Sequence, residues 1–226
     1  MKIRDLIYQW RHFGEDMTGY TSDDTSMSDK AIYDSLISAR SIIVTDRNRK
    51  EYFSNVMFQT IPCVSFNEVD SSECSIIPPS GCKILKSTCE MPNMLKLVSV
   101  SDQLGKSFDL VRWDNLEGKL HSRIESVKNA VYTAIRNVNG KQYLYVFNNN
   151  NLKNAVVTAI FEDPIKAAQF CANNGGDPET LCNPMEIDFH TDQKLIDPVL
   201  KYTWDGILNV RRAARPDMIN DDTNTM

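Results

Sequence analysis

Residues 130–147 read AVYTAIRNVNGKQYLYVF, and no other part of the chain speaks as plainly. Asn139-Gly140 is the preferred pair for a type I′ turn, in which both central residues take positive φ. Ala130–Val138 and Lys141–Phe147 flank it, and both arms are rich in Val, Tyr, Ile and Phe, which suit a pleated surface. The stretch is therefore predicted to be a β-hairpin. Past the polar tract Asn148–Asn151, Ala155–Phe161 supplies another strand, and the three together are expected to form an antiparallel meander. Before the hairpin, Val56–Phe66, Lys83–Lys86 and Leu95–Val100 are short strand candidates. Pro62, Pro78, Pro79, Gly81 and Pro92 punctuate them.

Outward from this β-rich middle the period changes to that of a helix. Ile3, Leu6, Ile7, Trp10, Phe13 and Met17 recur at helical spacing, with Arg4, Gln9, Arg11 and Glu15 between them, predicting a helix over about residues 2–14. The polar link Thr18–Ser28 follows, and Ser26 or Ser28 is placed to cap a second helix running to about Val44. Ile32, Leu36, Ala39 and Ile43 share one of its faces. Arg40, Arg47, Arg49 and Lys50 gather toward its C-terminal end, where the helix dipole favours cations. Asp163-Pro164 starts a helix well, with Asp as cap and Pro at the first helical position, and Gly175-Gly176 ends it. The last helix opens at Asp197-Pro198, or one turn earlier at Thr191 or Asp192. Its apolar positions are Val199, Leu200, Trp204, Ile207, Leu208 and Val210, and Arg211, Arg212 and Arg215 close it before Pro216. The expected fold is α+β: a helical bundle formed by the N- and C-terminal helices, with an inserted antiparallel β domain. Its divisions are 1–55, 56–161 and 162–226, the helical parts forming one bundle.

Composition leaves ordinary globular chemistry. The chain has 226 residues, 42% hydrophobic and 24% charged, enough to bury a core. A net charge of -5 and a pI of about 5.3 give no general electrostatic case for nucleic-acid binding. No run of apolar residues is long enough to span a bilayer. The N-terminal MKIRDLIYQWRHFGED carries charges throughout and lacks the continuous apolar centre of a secretory signal.

The six cysteines invite a metal reading, since Cys63, Cys74, Cys82 and Cys89 fall within Gln59–Pro92. Structural zinc usually takes two sulfurs from one tight turn, as C-x2-4-C, and no pair here has that spacing. All six, including Cys171 and Cys182, read as reduced thiols in a protein assembled in a cytosol. His12, His121 and His190 are isolated in sequence. Cys171 or Cys182 with His190 would make a nucleophile–base pair only if folding brought them together. The acidic pairs Glu15-Asp16, Asp23-Asp24 and Asp221-Asp222 lie in polar stretches, where solvation keeps carboxylates ordinary. Lys141, Tyr143 and Tyr145 could mimic a base-stacking platform, but strand aromatics more often pair across a sheet.

Four pieces of the chain, in order, resemble a small family of virion proteins from crAss-like and related short-tailed bacteriophages. Ser28, Asp29, Lys30, Tyr33, Leu36, Ala39 and Arg40 match its helical start. Gln59, Thr60, Cys63, Val69, Asp70, Glu73, Cys74, Gly81, Cys82, Ser87 and Pro92 match the segment after it. Ile160-Phe161-Glu162-Asp163-Pro164 and the tail Pro216–Asp222 complete the likeness. None of these pieces is a catalytic motif.

The resemblance implies a structural protein of the head–tail connector, a neck or portal-adaptor ring below the portal. It would extend the DNA channel, with no enzymatic activity and no cofactor. It implies a closed homo-oligomer, a dodecamer, that meets the portal protein above and further neck or tail rings below. DNA would be passing cargo, the place of action the virion, and the place of assembly the bacterial cytoplasm. Partner docking is expected at Trp10 and Phe13 on the first helix, at Arg211, Arg212 and Arg215, and at Met218 and Ile219 in the tail. Two other functions stay open. One is a metal- or thiol-dependent enzyme on the Cys63–Cys89 segment. The other is a nucleic-acid-binding module using Arg47, Arg49 and Lys50.

Overall fold

The computed structural model describes residues 1–18, 27–47, 53–69, 84–173 and 183–213; side chains are described for all of these except 13–18, 47, 172–173 and 207–213. The described elements fall into two compact units. One holds both chain ends, residues 1–53 and 191–226, and the other is the insertion, residues 54–190.

In the helical unit, α1 (Ile3–Thr18), α2 (Asp29–Arg47) and α6 (Gln193–Ala213) pack together. Most of the expected stripe positions whose side chains are described are buried, with Ile43 only half-buried. Ile3, Leu6, Ile7 and Trp10 leave α1; Ile32, Leu36 and Ala39 leave α2; and Val199, Leu200 and Trp204 leave α6. Ser28 caps α2, its hydroxyl accepting from the Ala31 amide at 3.3 Å. Arg11 on α1 pairs with Asp29 at 2.5 Å, which ties α1 to the N-terminus of α2. The last helix begins at the earlier of its two expected starts. Asp192 accepts from the Lys194 amide at 3.2 Å, so Pro198 lies inside α6 instead of opening it.

The inserted unit is a seven-stranded sheet in the order β3-β7-β1-β2-β6-β5-β4. Its strands are β1 (Gln59–Glu68), β2 (Ile84–Ser87), β3 (Met94–Asp102), β4 (Asp109–Leu110), β5 (Tyr132–Val138), β6 (Lys141–Phe147) and β7 (Asn154–Phe161). The hairpin β5–β6 forms as expected, with Asn139 and Gly140 at φ 53° and 79°. The meander does not: β7 pairs with β1 and β3, and β6 takes β2 as its second neighbour. β7 must bury the alternate residues Ala155, Val157, Ala159 and Phe161 in the same core as Leu144 and Val146, and it does so from across the sheet. Most neighbours are antiparallel, but β4 and β5 are parallel.

The sheet nearly closes on itself. Ser107 bridges Ser101 of β3, and the Phe108 amide donates to the Val100 carbonyl at 2.8 Å. The Asp109 and Val111 amides then donate to Val131 and Thr133 beside β5, each at 2.9 Å. One short segment thus bridges part of each edge, which leaves less unpaired backbone than an open sheet exposes.

Bulges shape the barrel. Ile61 pairs with Val157 but Val64 with Ala155, so β1 carries an extra residue at Pro62-Cys63. Three positions apart, Ile61 and Val64 would face opposite sides of a regular strand; with the bulge both lie in the core, at 1% and 0% exposure. Pro62 is tolerated there because a bulge interrupts the ladder.

Two short helices escaped the sequence reading. In α3 (Trp113–Leu120), Leu116 and Leu120 pack on Tyr132, Ala134, Tyr145 and Phe147, on the face of β5–β6 away from Leu144 and Val146. A one-turn helix, α4 (Glu125–Lys128), follows. This second covering explains why the end of β6 is buried at every residue. The remaining helix, α5 (Pro164–Asn173), was expected with the C-terminal helices. It belongs to the β unit instead, packing on β1 through Ala167 and Phe170. Asp163 caps it, accepting from the Ile165 amide at 2.9 Å.

Candidate interaction surfaces

The structure disperses most of the chemistry that the sequence offered. Cys63 and Cys171 are joined in a disulfide, with Cα atoms 5.7 Å apart, which corrects the reading of all six cysteines as reduced. The β1 bulge holds Cys63 against α5, and Gln59 donates to the Pro164 carbonyl at 3.1 Å near the other end of that helix. Two contacts, one covalent, therefore fasten α5 along β1. The bond also removes Cys171 as a nucleophile for His190. Cys89 is a free, half-buried thiol beside the same core. Cys74, Cys82 and Cys182 lie outside the described residues. Among the described residues, no three His, Cys, Asp or Glu side chains gather as a metal site would need. His12 meets the Tyr8 ring edge-on at 4.2 Å, and His121 is the C-cap of α3.

The candidate stacking platform is consumed by the sheet. Lys141 pairs with Glu90 at 3.1 Å, and that hydrogen bond and charge raise the lysine above its ordinary pKa. The Lys86 ammonium lies 4.2 Å from the centre of the Tyr143 ring. Tyr145 is buried, its ring 5.2 Å edge-on from Trp113. Tyr132, which donates its hydroxyl to the Val127 carbonyl, is raised by burial first and by Asp109 second.

The basic group at the end of α2 divides. Arg40 is fully buried, its Nε donating to Thr191 Oγ1 at 3.0 Å, so it is part of the helical core and not a phosphate contact. The side chain of Arg47, and all of Arg49 and Lys50, lie outside the described residues.

Of the expected docking residues, Trp10 is the one whose side chain is described, and it faces inward. It is 1% exposed and stacks on Trp204 with ring centres 4.6 Å apart and planes 5° from parallel. The Trp204 indole donates to the Trp10 carbonyl at 3.2 Å. Trp10 is thus committed to its own chain's core, because a large aromatic three helices can share is worth more inside than at a rim. Arg211 and Arg212 lie in the last turn of α6, with side chains outside the described residues, as is the side chain of Phe13. Arg215, Met218 and Ile219 also fall outside them.

Several exposed residues are apolar and were not singled out from sequence. Leu104 stands at the tip of the turn between β3 and β4, 94% exposed. Leu97, Leu110, Trp113 and Ile135 line a groove of about 380 Å³ on the same unit. The helical unit shows Tyr8, Ile42 and Tyr202. No helix among the described residues is long and apolar enough to cross a membrane.

The model of a protein family described as phage tail ring protein 2 matches residues 16–226. No curated protein matches the chain.

Proposed function

The chain belongs to the phage tail ring protein 2 family of crAss-like phages, and on that premise we propose that it is a ring subunit of the head–tail connector. The family is structural and not enzymatic, and it acts within the virion. The connector reading is finer: the ring lies below the portal, extends the DNA channel and links the portal to the rings of the tail. The observation that carries it is the family match over nearly the whole chain, so both units belong to the ring protein.

Two physical points support the reading. A chain of net charge -5 can line a channel without gripping the DNA that passes through it, because a phosphate-binding wall would need a basic surface. The nearly closed sheet offers neighbours mainly side chains and turns, which suits defined contacts over open-ended strand addition. The proposed assembly is a closed dodecamer that matches the portal. In it each subunit meets two copies sideways, the portal above and another ring below. Heterologous side contacts close only when the rotation per subunit is right.

The C-terminal tail is proposed to dock on the portal or an adjacent ring subunit, through Arg211, Arg212 and Arg215 with Met218 and Ile219. A polar segment with few apolar residues gains order only against a partner. Deleting residues 217–226 is expected to leave the fold intact and to lower incorporation into particles. If the truncated chain enters virions as well as the full-length one, the tail has no docking role.

A further inference from the structure

We infer that the Cys63–Cys171 bond is a lock closed late: the two cysteines are thiols while the chain is made and assembled, and a small-molecule disulfide joins them once the particle has left the cell. The inference needs only the family membership, and it holds for a tail ring at any place in the particle.

A phage protein is translated in the cytoplasm of its host, where small thiols and thioredoxin keep cysteines reduced. The fold nevertheless brings Cys63 and Cys171 together across a separation of 108 residues, with Cα atoms 5.7 Å apart, inside the range that a disulfide spans. The two are reconciled when the pair meets first as thiols and is oxidised later.

The fold presents the pair without needing the bond. Cys63 sits in the β1 bulge, which is set by the pairing of Ile61 with Val157 and of Val64 with Ala155. Cys171 lies in the last turn of α5, and that helix is seated by other means. Ala167 and Phe170 are buried in the core of the sheet. Asp163 caps the first turn, and Gln59 donates to the Pro164 carbonyl at 3.1 Å. Backbone pairing, apolar burial and a cap are indifferent to redox state, so the reduced chain holds the same two thiols side by side.

The pair is also within reach of an oxidant. Cys63 and Cys171 are both half-buried, and each has an exposed residue close by in its own element, Pro62 in β1 and Ala168 in α5. A pair sealed in the core could be oxidised only during folding, whereas a half-buried pair can be oxidised in the folded protein. One thiolate attacks a sulfur of the small disulfide and expels one small thiol, leaving a mixed disulfide on the protein. The second thiolate attacks the protein sulfur of that bond and expels the other small thiol. Two protein thiols and one small disulfide thus become one protein disulfide and two small thiols. The two electrons and the two thiol protons end on the small molecules. Before closure, α5 can leave β1 by giving up non-covalent contacts alone; after it, the last turn cannot. The β unit is therefore able to open locally during assembly and is fastened afterwards.

The test traps the thiols at both stages. Cells making the full-length chain are quenched in acid, alkylated with N-ethylmaleimide under denaturing conditions and digested without reductant. Purified particles exposed to cystine are treated in the same way. Cys63 and Cys171 are expected alkylated in the cell sample and joined in the particle sample. Cys89, which is free in the structure, should be alkylated in both and serves as the reference. A joined pair in the cell sample would overturn late closure, and an alkylated pair in cystine-treated particles would overturn the lock. Hydrogen exchange of the full-length chain reads what the bond does. Amides of residues 168–173 are expected to exchange slower by roughly tenfold or more with cystine than after dithiothreitol. Cys63→Ala should exchange at the faster rate in both. Equal exchange of the parent in its two redox states would overturn the inference. Failure of the connector reading would show as a different position of the chain in the particle, and it would leave these outcomes unchanged.

Discussion

At the scale of single residues, the stacked pair Trp10–Trp204 shows how the helical unit is held. Trp204 donates its indole N–H to the Trp10 carbonyl, whereas the Trp10 indole N–H has no acceptor among the described residues. The two tryptophans therefore differ in what they lose on truncation. Trp10→Ala should destabilise by about 3–5 kcal/mol, as deletion of a buried indole does. Trp204→Phe should cost more than Trp10→Phe by about 1 kcal/mol, because only the former breaks a hydrogen bond. Urea denaturation followed by circular dichroism of the two variants checks the order. The disulfide is the second residue-scale claim. It closes a separation of 108 residues, so Cys171→Ser should lower the stability of the β unit by about 2–4 kcal/mol. A non-reducing digest should recover the peptides of Cys63 and Cys171 joined, and their recovery as separate free-thiol peptides would contradict the bond. Neither effect was legible in the sequence. A pairing over that distance leaves no local pattern, and the bulge at Pro62 that presents Cys63 to α5 exists only once β1 meets β7.

Elements were read best where their signal is local. The stripes of α1, α2 and α6, the Asp163 cap of α5 and the Asn139-Gly140 turn each depend on residues within a few positions. The turn gives a paired test. Gly140→Ala forces a side chain into positive φ and should cost about 1–2 kcal/mol. Gly118→Ala in α3 meets nothing within 4 Å and keeps ordinary φ, so it should stabilise by about 0.5–1 kcal/mol. Thermal unfolding of both variants should move in opposite directions. What failed at this scale was non-local or short. The neighbours of β7 are chosen by which strands can share a core, and no turn signal encodes that. The helix α3 is brief and carries Gly118, so propensity understates it, and only the apolar face of Tyr145 and Phe147 calls it into being. That Trp10 packs within its own chain was open in the sequence for a related reason. A stripe at a chain end reads alike whether it packs on a neighbouring subunit or on a helix nearly two hundred residues later.

For the whole molecule, the terminal helices close one unit and the middle of the chain folds as another, with no assembled catalytic or metal constellation among the described residues. Its family membership makes it a tail ring protein, and the proposed place of that ring is between portal and tail. Mass photometry of the purified chain with portal should then show a discrete, ring-sized complex, while without portal a mixture of smaller species is compatible with assembly on that template. The most direct measurement is a symmetry-free reconstruction of the neck of the intact particle. The account predicts a closed dodecameric ring of this chain around the DNA channel, directly below the portal. Density for this chain at another site in the particle, or as isolated copies that do not close around the channel, would contradict it.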